Sequence, residues 1–146
     1  MSDPVTTLLH AVDTLDWDTV EATLAAEVEL DYTSLWGGSA ETVPGPEVVA
    51  RWRGLLPGFD ATQHLTGPVL VHPGGRRTTT VRGYHHLADG DSRSTWMVAG
   101  WYDIRVDDAG RVAAITLHTS YEEGDRALVE AATARCAAGA GGRVAA

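Results

Sequence analysis

A chain of 146 residues suffices for one domain with a real core and is too short for two ordinary ones, so a single binding pocket is expected. Its 20 acids and 11 arginines, with no lysine, give a net charge of -9, which argues against nucleic acid or an anionic membrane surface as a partner. The absent lysine also excludes a side-chain Schiff base and a Walker-type phosphate loop.

One cysteine, Cys136, makes no internal disulfide, so nothing points to secretion. The first residues lack a basic leader, and no apolar run approaches the ~20 residues of a membrane span; a soluble cytoplasmic protein is expected.

Val5, Leu8, Leu9, Val12 and Leu15 recur at helical spacing behind Asp3-Pro4, which predicts an opening amphipathic helix with Asp13 beside its apolar stripe. A second helix is predicted from Asp16 to Ala26, its acids suiting a helix N-terminus. Val28 to Leu35 reads as a strand with Val28, Leu30, Tyr32 and Ser34 on one face, and a third helix runs from Glu47 to Leu56. Four long strands follow: Ala61 to Val71, bent at Gly67-Pro68, then Arg77 to Ala88, Ser94 to Val106 and Arg111 to Tyr121. The turns between them, at His72-Pro73-Gly74-Gly75, Asp89-Gly90-Asp91 and Asp107-Asp108-Ala109-Gly110, read as hairpins. A last helix covers Glu122 to Ala137, and residues 138–146 form a flexible tail behind one domain of residues 1–137.

Helices first and a meander of strands afterwards predict an α+β fold: a cone-shaped, curved, largely antiparallel sheet, an α+β barrel packed with the N-terminal helices around one internal pocket. Alternation on the strand from Ala61 puts Thr62, His64 and Thr66 on one face. If that face lines the pocket, His64 is the best candidate for a proton-transfer group, histidine alone having an ordinary pKa near neutrality; the alternative is a core histidine bonded to a carbonyl.

Four segments resemble those of scytalone dehydratase, in the same order and at similar spacing: residues 13–18 (Asp-Thr-Leu-Asp-Trp-Asp), 31–34 (Asp-Tyr-Thr-Ser), 62–67 (Thr-Gln-His-Leu-Thr-Gly) and 83–85 (Gly-Tyr-His). More broadly the chain resembles the SnoaL-like polyketide cyclases and the nuclear transport factor 2-like superfamily. The resemblance implies an oligomeric cone with a buried cavity and neither metal nor organic cofactor. It places a working histidine and aspartate on His64 and Asp13, and a carbonyl-polarising tyrosine on Tyr32. This chain also departs from the pattern. Val12 replaces a second tyrosine, residues 89–91 offer no counterpart of a second histidine, and residues 98–100 (Val-Ala-Gly) replace a polar pair.

His85 and His86 are adjacent on a strand and point to opposite faces, so they cannot both chelate one metal; one lines the pocket, and His86 is assigned to it. No ligand pair has metal-site spacing. His118 is a candidate polar liner or a surface residue, and His10 and His72 read as surface. Trp36 and Trp52 are placed near the mouth and Trp96 or Met97 on the wall, walls that suit a flat hydrophobic substrate. Tyr102, Asp103 and Arg105 are assigned to an exposed sheet face where copies would meet as a homodimer or homotrimer. The function expected is dehydration, cyclisation or isomerisation by acid-base chemistry, the alternative being a hydrophobic ligand-binding module of the same fold. Epoxide opening ranks third.

Overall fold

The structure, a computed structural model, describes residues 2–89 and 92–139. Helix α1, Pro4–Asp13, starts where the Asp3 carboxylate accepts the Val5 N–H at 2.9 Å, with Pro4 in its first turn. Val5, Leu8, Leu9 and Val12 form its buried stripe. The helix ends in a tight corner: Leu15 lies at φ 56, and the Asp16 N–H reaches back to the Ala11 carbonyl. A left-handed leucine is unfavourable by about 1 kcal/mol, and burial of its side chain to 2% exposure offsets that. The same corner fixes Asp13 in the last turn of α1.

Helix α2, Trp17–Thr23, is capped by Asp16. It stops three residues before the predicted end, because Leu24–Asp31 is already strand β1. Beyond Asp31 the predicted strand breaks into a one-turn helix, α3, Thr33–Trp36. The Asp31 carboxylate accepts the Thr33 N–H at 3.1 Å and its hydroxyl at 2.7 Å, a local bond that competes with the ladder. Ser34 then ties this turn to the neighbouring strand by donating to the Leu117 carbonyl and accepting the Thr119 N–H at 2.9 Å. A short strand, β2 (Glu41–Pro44), pairs with β1 and was not expected. Helix α4 is Gly45–Arg53, displaced from the predicted 47–56, with a 3-10 turn at Leu56–Gly58.

The remaining strands are β3 (Ala61–Thr66), β4 (Leu70–Val71), β5 (Arg76–Asp89), β6 (Ser92–Val106) and β7 (Val112–Gly124). The break expected at Gly67-Pro68 separates β3 from β4. Strand β7 runs beyond the predicted Tyr121, its Gly124 pairing with Trp96, so helix α5 is Leu128–Ala138 and begins six residues later than expected. Gly90, Asp91 and residues 140–146, which include the predicted turn centre and most of the tail, lie outside the described residues.

The strands form one mixed sheet in the order β2-β1-β7-β6-β5-β3, with β4 beside β5. Every pair is antiparallel except β1 with β7. The sheet is not closed; β2 and β3 are its edges. The helices α1 and α4 cover the concave face, and their apolar residues join Val81, Val98, Ile104 and Ile115 of the strands in one core. No helix among the described residues is long and apolar enough to cross a membrane.

Candidate active site

Between the helices and the concave face lies a cavity of about 360 Å³. Register decides what faces it. Thr62 pairs with His85 and His64 with Gly83 on β5; Gly83 and His85 in turn pair with Val98 and Trp96 on β6. Directly opposed residues share a face, so His64, Gly83, His85, Trp96 and Val98 all look inward.

Asp13 meets His64 at the edge of this cavity. One carboxylate oxygen accepts the His64 backbone N–H at 2.6 Å; the other lies 2.7 Å from Nδ1 of the same residue and accepts the Thr62 hydroxyl at 3.1 Å. Burial by itself would raise the Asp13 pKa. The bond from the imidazole, its charge, the backbone N–H and Thr62 outweigh burial and hold the carboxyl below its ordinary value. An ionised Asp13 has only lone pairs to offer, so Nδ1 carries the proton and Nε2 is left as the basic nitrogen. His64 lines the cavity, whereas Asp13 lies outside it, in a second groove lined by Thr6, His10, Thr62 and Gln63.

Tyr32, at the end of β1, also faces the cavity, and its hydroxyl is hydrogen-bonded to that of Tyr102. Burial, then Tyr102, raises Tyr32 well above a free phenol; burial pushes Tyr102 up to about 12, against a lowering bond from Tyr32. Both remain neutral and can donate. Tyr102 is the functional residue the sequence reading missed. Expected on the exposed face, it is buried and points inward, while Asp103 and Arg105 stay on the outer face, Asp103 paired to Arg76 at 2.9 Å. A second tyrosine hydroxyl therefore stands in the cavity although Val12 occupies the position where one was sought.

His86 does not face the cavity. The pairing of β3 with β5 is regular over residues 61–66, without the bulge that would exchange the two imidazoles, so His85 turns inward. It packs 5.1 Å from Phe59, 4.6 Å from Trp96 and 5.9 Å from His64, ring centre to ring centre. Its Nδ1 lies 3.1 Å from the Trp96 carbonyl oxygen. Burial, followed by the charge of nearby His64, lowers its pKa to about 4. The cavity thus holds the second imidazole that residues 89–91 lacked, in a neutral form. His86 bonds instead to Thr95 on the outer face, at 3.2 Å.

Trp36, Trp52 and Trp96 line the cavity. Trp36 lies at the mouth under the Arg126 guanidinium, 4.9 Å from its ring centre, and Trp96 donates its indole N–H to Glu122 at 2.9 Å. Met97, the alternative to Trp96, points to the opposite face of β6 and is not part of the wall, as strand alternation requires. His118 stacks on Trp101 at 4.0 Å on the outer face. Among the described residues no cluster of three or more histidine, cysteine or carboxylate side chains could hold a metal ion.

Residues 1–111 match the model of the SnoaL-like domain. The chain belongs to the SnoaL-like family. No curated sequence matches this SnoaL-like chain. Among solved structures, the Kfla4162 protein from Kribbella flavida is 25% identical with a TM-score of 0.73, covering 90% of this chain and 92% of that one. The Δ5-3-ketosteroid isomerase from Mycobacterium sp. has a TM-score of 0.68 at 12% identity, covering 84% and 95%. The Mycobacterium tuberculosis protein RV0760c, solved with estradiol-17β-hemisuccinate, has a TM-score of 0.65 at 14% identity, covering 79% and 89%. These likenesses place the SnoaL-like chain in a fold that also carries an isomerase and a steroid-binding protein.

Proposed function

We propose that this protein is a cofactor-independent enzyme that moves a proton next to the carbonyl of a flat, neutral, polyketide-like or polycyclic ketone, in a dehydration, isomerisation or aldol-type cyclisation. The observation that carries the reading is the grip of one carboxylate on both the backbone and the ring of His64, which leaves Nε2 as a base beside an apolar cavity. Nε2 takes the proton from the carbon next to the carbonyl, and the electron pair of that C–H bond moves onto the carbonyl oxygen. The Tyr32 and Tyr102 hydroxyls donate to the developing oxyanion. Asp13 balances the imidazolium that forms. The proton then returns to a leaving hydroxyl, which departs as water, or to another carbon; in a cyclisation the enolate attacks a second carbonyl. His85 is held neutral by its burial and does not compete for the proton.

A cavity of about 360 Å³ suits a two- or three-ring ligand. The test is exchange of the acidic α-protons of 2-tetralone in deuterated water, followed by NMR. His64→Ala should slow the exchange about 10³-fold while 2-naphthol still binds. Equal rates in both proteins would contradict the reading. The second reading, a carrier of hydrophobic molecules, draws support from the tryptophan walls and from the steroid bound to RV0760c. It predicts tight ligand binding with no exchange above buffer. We further propose that the outer face, where Trp101, Tyr121, Leu65 and Leu70 are exposed, joins copies of the chain; sedimentation as a monomer would contradict this.

A further inference from the structure

Glycines inside strands weaken them relative to alanine, so each one needs a reason. For Gly100 and Gly124 the reason is close backbone: a Cβ would strike the His118 carbonyl at the first and the Thr95 carbonyl at the second. Gly83 has neither a colliding backbone nor a left-handed φ. It lies inside β5, facing the cavity, opposite His64 on β3 and Val98 on β6. A Cβ there would sit 3.4 Å from His64 Cδ2, 3.5 Å from His64 Nε2 and 3.4 Å from His85 Cε1, all ordinary contacts. The fold would therefore accept a methyl group at this position.

What a methyl would occupy is the space beside the base. Reacting atoms must approach to roughly 3–3.5 Å, and the point over Gly83 meets that distance from Nε2 while lying between the two imidazole rings. We propose that Gly83 is the seat of the reacting carbon, a specificity-determining position that admits a thin, sp²-flattened part of the substrate between His64 and His85. Substrates carrying a substituent on the face turned toward β5 are excluded. The inference rests on the reading of His64 as the base and adds where, and in what shape, the substrate meets it.

The experiment compares wild type, Gly83→Ala and His64→Ala by thermal unfolding, 2-tetralone exchange and 2-naphthol affinity. Gly83→Ala should keep the wild-type melting temperature to within a few degrees, slow exchange at least tenfold and weaken 2-naphthol at least tenfold. Wild-type exchange in Gly83→Ala alongside lost exchange in His64→Ala would overturn the role of Gly83 and leave the base intact. If wild type shows no exchange, the enzymatic reading fails, and 2-naphthol decides the seat alone: unchanged affinity in Gly83→Ala overturns it. Should the variant fail to fold, contacts between 2-naphthol protons and the Gly83 Hα in wild type take its place, their presence supporting the seat and their absence overturning it.

Discussion

On β5, His85 looks into the cavity between Phe59 and Trp96, while His86, the next residue, looks outward to Thr95. The two faces of β6 repeat the contrast: Trp96 and Tyr102 are cavity wall, whereas Trp101 stacks on His118 outside. Residue type says little about role here. The face does, because burial changes what a side chain can do with a proton, and burial is set by pairing register.

The comparison can be sharpened first through acid. The pKa of His85 is lowered in the folded protein, so the unfolded chain takes up its proton first as pH falls. Above about pH 6.5 the group contributes nothing. Between there and about 4 the protein should lose about 3 kcal/mol of stability from this residue, the loss levelling off once the folded form titrates. Urea midpoints across this range should fall steeply for wild type and more gently for His85→Leu; parallel curves would mean that His85 is not held neutral by its surroundings.

A smaller effect should come from Tyr102→Phe, which removes one of two paired hydroxyls and leaves Tyr32 to donate. Exchange of 2-tetralone should slow about tenfold, with the melting temperature little changed. An unchanged rate would place the carbonyl oxygen elsewhere in the cavity. The smallest effect belongs to the outer face: His86→Ala should change stability by less than about 0.5 kcal/mol at neutral pH and leave exchange unaltered. A large loss of exchange in this variant would erase the distinction between the faces.

How much of this was legible in the sequence follows from the same physics. The α+β architecture and the mixed, cone-like sheet could be read because long alternating strands follow amphipathic helices. The meeting of Asp13 with His64 came from the resemblance, and the structure brings them to 2.7 Å. Tyr102 and His85 were misplaced for one reason. Each belongs to a pair of adjacent similar residues, Trp101-Tyr102 and His85-His86, and alternation along one strand cannot say which member faces inward without the partner strand's register. Helix α3 was missed because residues 28–35 alternate like a strand. The signal that could have found it is local: Asp31 two residues before Thr33, a carboxylate placed to hold a turning backbone N–H. Gly83 gave no signal in the sequence, since its importance lies in the two rings that flank it.

The central claim is that Asp13 fixes the tautomer of His64, and the most direct test is the ring nitrogen chemical shifts of His64 in wild type and in Asp13→Asn at about pH 8, where an ordinary imidazole is neutral. In the variant, the backbone N–H of His64 cannot turn, so the amide oxygen must take it, and the amide NH₂ is left facing Nδ1. Nδ1 must then accept, and the proton moves to Nε2. The account predicts an unprotonated Nε2 in wild type, a protonated Nε2 in Asp13→Asn, and exchange slowed about 10²-fold. A wild-type Nε2 that already carries the proton, or a tautomer unmoved by the substitution, would contradict it.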